Sequence, residues 1–179
     1  MTAEGWLEHA LALQEAGADA LELNVYYLAA DPEETAVSVE DRYVDLATVL
    51  RGCVSLPLAV SCAPSFTAPI DLVRRLEGAG VDGVSIFNRF YQPDIDLETL
   101  EVTPRLELSS PAEALLRVRW AAMLFGRCRC GLAVTGGFHR SDEVLKALLA
   151  GADVVHLCSV LLQQGPAVIG DILSAMTAW

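Results

Sequence analysis

Apolar residues recur along this chain in two alternating rhythms. Val39, Tyr43, Leu46, Leu50 and Cys53 fall three or four apart, with Glu40, Asp41, Arg42, Asp45 and Arg51 between them, which is the period of a helix with one buried face. Ser38 offers an N-cap oxygen and Asp41 puts negative charge in the first turn, so this helix is expected to begin there. Further helices are expected from Glu4 to Ala16, along Ile70, Val73, Leu76 and Ala79 with Gly78 and Gly80 as its stop, and from Pro111 to about Gly126. Two more are expected from near Ser141 to Gly151 and after Pro166. Between them lie short continuous apolar runs at 20–24, 56–60, 83–87, 132–135 and 154–158, which read as strands buried on both faces. Pro57 is admissible because it sits at the first positions of its run. This alternation predicts an α/β fold of parallel strands in sequential order, joined by crossover helices.

A short repeat marks the same units. Ala16-Gly-Ala-Asp19, Ala79-Gly-Val-Asp82 and Ala150-Gly-Ala-Asp153 each join a helix end to a strand start, the glycine stopping the helix. Five or six residues beyond each Asp stand Asn24, Asn88 and Ser159, at the strand ends where parallel sheets bind ligands. Asn and Ser also favour the turns after strands, so each one singly has an ordinary structural explanation. The segment 91–110 breaks the pattern. Asp94, Asp96, Glu98 and Glu101 alternate there with Ile95, Leu97, Leu100 and Val102, which predicts an extended or hairpin excursion above the strand ends. It reads either as a wall of the site or as a solvated acidic loop.

Composition narrows the possible partners. The 179 residues are 53% hydrophobic, enough for one substantial core in a single domain. No apolar run reaches the roughly 18 residues of a membrane span, and the first residues lack a secretory signal, so a cytoplasmic protein is expected. Twelve Lys and Arg against twenty-four Asp and Glu give a charge of −12, which argues against nucleic acid and anionic membranes. A bound phosphate is then expected on backbone N–H groups and helix starts. Cys53, Cys62, Cys128, Cys130 and Cys158 are odd in number and scattered, so free buried thiols are expected, and no second Cys or His pair completes a metal site around Cys128 and Cys130.

The strongest chemical signal is Thr135-Gly136-Gly137 directly after a buried run, followed one unit later by Cys158-Ser159 and a short helix start near Gln163 to Pro166. Glycines there allow the backbone to approach a phosphate, and the loops after a barrel's last two strands commonly bind one. A plain turn is the alternative.

Leu21-Glu-Leu-Asn24, the run from Phe87 through Asn88, Arg89, Phe90 and Tyr91 to Glu98, Thr135-Gly-Gly137 and Ala150-Gly-Ala-Asp153 resemble the dihydroorotate dehydrogenase family, in its dihydroorotate dehydrogenase-like branch, across nearly the whole chain. The resemblance implies a parallel (β/α) barrel of TIM type, incomplete at about five of eight βα units, with residues 1–179 as the C-terminal portion of an FMN-binding barrel. It implies FMN as cofactor and a small-molecule substrate, dihydroorotate, oxidised to orotate in pyrimidine biosynthesis. Asn24 and Asn88 match substrate-binding asparagines. Gly136, Gly137, Cys158 and Ser159, with Thr135, match the loops around the FMN phosphate, and Ser109 and Ser110 match a turn beside the flavin.

Two positions depart from that pattern. Tyr27 stands where the family has its cysteine or serine base, and a phenol is a poor base near neutral pH. Ser61, at a cofactor-contacting position, stands where the family has a lysine, and a hydroxyl cannot supply an ammonium's charge. The family's first three strands also have no counterpart. A truncated, impaired FMN-dependent oxidoreductase is therefore expected, beside two alternatives: a non-catalytic half-barrel or assembly partner that keeps the phosphate site, and a lyase or isomerase acting on a phosphorylated substrate. Open strand edges predict self-association or a covering partner.

Overall fold

The computed structural model describes residues 3–89 and 92–179. Phe90 and Tyr91, which belong to the motif quoted above, lie outside the described residues. Five parallel strands form one sheet: β1 (Leu21–Asn24), β2 (Leu58–Cys62), β3 (Gly83–Ile86), β6 (Gly131–Thr135) and β7 (Val154–His156), in the order β1-β2-β3-β6-β7. The helices are α1 (Ala3–Glu15), α2 (Ala36–Arg51), α3 (Pro69–Gly78), α4 (Ala114–Leu124), α5 (Ser141–Leu149), α6 (Ser159–Gln164) and α7 (Val168–Thr177). Sequential order with right-handed crossovers places the helix layer on one side of the sheet.

Three boundaries differ from the expected ones, each for a physical reason. Helix α2 starts earlier, capped by Thr35, whose side chain accepts from the Ser38 N–H while the Ser38 hydroxyl accepts from the Thr35 N–H. Ser38 is thus the far half of a capping box and not the cap. Strand β2 begins after Pro57, which has no N–H for a ladder but whose carbonyl accepts from Leu21 N–H at 2.9 Å. Strand β7 stops at His156, and α6 begins at Ser159 instead of near Gln163.

Each face of the sheet has its own chemistry. Leu21, Leu23, Leu58, Val60, Val84, Ile86, Leu132 and Val134 are buried and form the core with Leu46, Leu50, Leu72, Leu76, Ala121, Leu124 and Ala147 of the helices. The alternate positions, in register across the sheet, are Ala59, Gly83 and Gly131 in one row and Asn24, Ser61, Ser85, Ala133 and Val154 in the next. The interior of a closed barrel is dominated by bulky branched residues. Here that face carries small or polar ones apart from Val154, so the central strands β2 and β3 are buried on both faces, as their apolar runs suggested, while β1, β6 and β7 are buried mainly on one side or less.

The repeated Asp has a structural job. Asp82 donates its N–H to the Leu58 carbonyl at 2.8 Å and accepts the Leu58 N–H on its carboxylate at 2.8 Å. Asp153 does the same to Leu132, at 2.7 and 2.8 Å. Asp82 thus grips the first residue of β2 and Asp153 the second residue of β6, each at two points. Asp19, the third copy, precedes the edge strand β1 and makes no such pair among the described residues.

Residues 92–105 form the expected hairpin, with β4 (Gln92–Ile95) antiparallel to β5 (Val102–Arg105). All five cysteines are free. Cys62 is buried, but Cys53 and Cys158 are exposed and Cys128 and Cys130 half-buried, which corrects the expectation of five buried thiols. Among the described residues no helix is long and apolar enough to cross a membrane, and no cluster of His, Cys, Asp and Glu could hold a metal.

Candidate functional site

At the C-terminal ends of β1, β2 and β3 the structure gathers Asn24, Ser61 and Asn88 into one hydrogen-bonded chain. Asn88 donates to the Asn24 side-chain oxygen at 2.7 Å, and the Ser61 hydroxyl donates to the Asn88 side-chain oxygen at 2.5 Å. The Asn88 backbone N–H is anchored on the Cys62 carbonyl at 2.8 Å. Ser61 is 2% exposed, so it lies beneath the asparagines and holds Asn88 in place instead of facing a ligand.

Beside Asn88 opens a cavity of about 320 Å³, lined by Ser109, Thr135, Gly136, Gly137, Cys158 and Ser159 among others. Most of the residues expected around a phosphate therefore share one space. Ser159 is buried, and its Oγ accepts from both the N–H and the hydroxyl of Ser109, each at 2.8 Å. A hydroxyl has two lone pairs and one proton. The two hydroxyls share one hydrogen bond between them, so one O–H proton of the Ser109–Ser159 pair remains to donate to an acceptor in the cavity. Ser110 is not part of this lining. It starts the 3₁₀ turn Pro111–Glu113 and donates its N–H to Glu113 at 3.0 Å.

The two glycines are required chiefly by the protein itself. Both have left-handed φ, 92° at Gly136 and 95° at Gly137. A Cβ on Gly137 would lie 2.4 Å from the Ala114 backbone nitrogen, and one on Gly136 would lie 3.0 Å from the Arg117 guanidinium. The turn is pressed against the start of α4, and that contact leaves no room for side chains there.

Two cations also stand near this turn, in spite of the acidity of the chain. Arg117 is 5% exposed and donates to the Thr135 carbonyl at 2.9 Å and the Glu113 carbonyl at 3.1 Å, with burial lowering its pKa below the usual guanidinium value. Arg89 pairs with Glu113 at 3.1 Å and donates to the Glu107 carbonyl. Two arginines around one glutamate leave a net positive cluster in a strongly acidic chain. Arg117 was visible as the polar member of the α4 row Ala114, Arg117, Ala121 and Leu124. Arg89 is sequence-adjacent to Asn88, but nothing in periodicity marked it.

Tyr27 is not brought to the asparagines. Its hydroxyl donates to Glu34, and the Arg42 guanidinium lies 4.5 Å from its ring centre while pairing with the same glutamate. The hydrogen bond to Glu34, followed by desolvation, raises the Tyr27 pKa above its ordinary value, which moves it further from a base that works near neutrality.

An α/β half-barrel with five parallel βα units and a donor-lined cavity at its strand ends is the class that this fold and site define. Its relatives are dihydroorotate dehydrogenases, as the motifs implied. The chain is 29% identical over 161 residues to the dihydroorotate dehydrogenase B (NAD(+)) catalytic subunit of Desulforamulus reducens, covering 86% of this chain and 52% of that subunit. It is 24% identical over 186 residues to that of Bacillus caldolyticus, covering 96% of this chain and 59% of that subunit. No family model matches the chain. Its fold matches a crystal structure of DHODH from Eimeria tenella in complex with ferulenol, with a TM-score of 0.68 at 16% identity, over 93% of this chain and 51% of that one. The chain spans about half the length of the relatives it matches.

Proposed function

We propose that this chain is a dihydroorotate dehydrogenase relative that binds the phosphate end of FMN in the cavity between Gly137 and Ser159, and that its own residues do not support oxidation of dihydroorotate. The observation that carries the reading is the buried Ser109–Ser159 pair on the cavity wall, whose two hydroxyls share one hydrogen bond and so keep one O–H proton for an acceptor. The arginine cluster around Glu113 adds positive potential beside the turn. These residues fit a phosphate. They fit the ring end of a flavin less well, because Ser61 supplies no charge and its hydroxyl is held by Asn88.

When bound, FMN would supply a hydride acceptor. On the protein side, Asn24, its side chain held by Asn88, orients a polar ring, and Ser109 and Ser159 hold the phosphate. The position where the family has its base supplies none, since the Tyr27 hydroxyl is committed to Glu34. Losing a general base costs roughly 10² to 10⁴ in rate. The reading takes the protein as cytoplasmic, in keeping with its five unpaired cysteines.

Fluorescence titration tests both halves. FMN should bind more tightly than riboflavin, which lacks the phosphate, and Ser159→Ala should weaken FMN about tenfold while leaving riboflavin unchanged. No dihydroorotate-dependent reduction of dye, fumarate or NAD should appear with FMN present. Equal binding of both flavins would remove the phosphate site, and measurable turnover would show that a base exists.

The reading as an assembly partner is favoured by one observation of its own, the open grip of Asp19 at the β1 edge.

A further inference from the structure

The asparagine chain at the strand ends leaves few groups to hold a negatively charged ligand. Asn88 spends one side-chain N–H on Asn24 at 2.7 Å and the other on the Ser61 carbonyl at 3.5 Å, and its oxygen already accepts from Ser61. Asn24 keeps its amide N–H groups, but these are neutral donors. Charge must come from another side chain.

Arg89 lies directly after Asn88 and lines two cavities at once. One is the space of about 320 Å³ that holds the phosphate turn. The other, about 600 Å³, lies against the hairpin and is lined by Tyr26, Gln92, Asp94 and Arg105 as well. A guanidinium has five N–H donors in a planar fork. The Glu113 carboxylate takes one, at 3.1 Å, and the Glu107 carbonyl takes a second. Three remain among the described residues, enough for a bidentate grip on a planar oxyanion. Arg105, the other guanidinium against the hairpin, pairs with both Asp94 and Glu107 and is therefore neutralised twice over. Glu113, by contrast, is shared between Arg89 and Arg117, the latter at 3.7 Å. Arg89, Arg117 and Glu113 together carry one positive charge, which the Arg105, Asp94 and Glu107 group balances at the hairpin, and Arg89 is the exposed arginine of the positive group, Arg117 being buried.

We infer that Arg89 is the anion-selecting residue of the site: it grips a carboxylate of the ring-shaped molecule held beside Asn88, and it sets the preference for an acidic ligand that Ser61 cannot provide. Glu113 orients the fork from behind and moderates its charge. The inference rests on the functional reading above for the ring beside Asn88. It does not depend on FMN.

The test compares orotate with uracil, which is the same ring without the carboxylate, by isothermal titration of the intact protein. Orotate should bind about tenfold more tightly than uracil at low salt, as one bidentate charged contact warrants, and the preference should shrink as salt is added. Arg89→Gln should bring orotate down to the uracil level and leave uracil itself unchanged, a split that mere loss of structure would not give. Arg89→Lys should retain part of the preference. Glu113→Gln, which removes the moderating charge but keeps the acceptor for Ser110, should strengthen orotate. A preference that survives Arg89→Gln, or no preference in the parent protein, would overturn the inference. FMN is titrated into the same variants: an Arg89-dependent orotate preference without FMN binding would sink only the flavin reading, and FMN binding without the preference only this one.

Discussion

Gly137 shows how a residue can have a packing reason beside a binding one. As a glycine after a buried strand it reads as space for a phosphate, yet its missing Cβ would lie 2.4 Å from a backbone nitrogen of α4. Gly137→Ala should therefore destabilise the fold by about 3 kcal/mol or more, from left-handed strain and displaced backbone together. Urea unfolding measures it, and a loss below about 1 kcal/mol would mean that α4 yields easily. Gly137→Val, the natural way to block an approaching phosphate, would confound the site with the fold, so Ser159→Ala is the cleaner probe. Asn24, Asn88 and Ser159 were legible because each follows a repeated Asp by nearly the same count. Their partners were not. Ser159 joins Ser109 from fifty positions away, and Asn88 joins Ser61 from twenty-seven. Pattern places a residue on an edge, whereas the hydroxyl it meets depends on how strands and loops align in space.

Elements were more legible than contacts, and the misses fall where local chemistry competes with periodicity. Pro57 shifts the start of β2 because it cannot donate, and Thr35 outcompetes Ser38 as cap because it precedes the helical turn it bonds. The hairpin was expected from alternation alone, and its turn holds a residue in a strained conformation. Asp96 accepts the Glu98 and Thr99 N–H groups at 2.8 and 3.0 Å, which holds its carboxyl below the usual range. Leu100 completes the turn at φ 58° while its side chain is 78% exposed. A leucine in the left-handed region is strained without a compensating burial. Leu100→Asn keeps the turn with a residue that tolerates that region, so the Asp96 and Leu100 amides should exchange about fivefold more slowly, equivalent to roughly 1 kcal/mol of local stability. Exchange that stays the same or quickens would show that the strain at Leu100 does not weaken this turn.

At the scale of the molecule, the sheet ends in two unlike ways. Its ligand-side face is small and polar, so leaving that face open costs little apolar exposure. Its β1 edge is different, because two of the three repeated Asp residues grip a neighbouring parallel strand by N–H and carboxylate together and Asp19 has none to grip among the described residues. An unpaired edge with a ready acceptor recruits extended chain. Self-association through β1 is the expected outcome, with a foreign strand as the other means of covering it. Sedimentation velocity should show a concentration-dependent shift, and Asp19→Ala should weaken it. Asp82→Ala, which breaks an occupied grip, should instead lower stability by about 1–3 kcal/mol, since it leaves the Leu58 N–H without its charged acceptor. Glu98→Ala, an acidic change on the exposed hairpin, controls for net charge and should alter neither. A monomer at every accessible concentration, or an association indifferent to Asp19, would show that the first grip serves no strand.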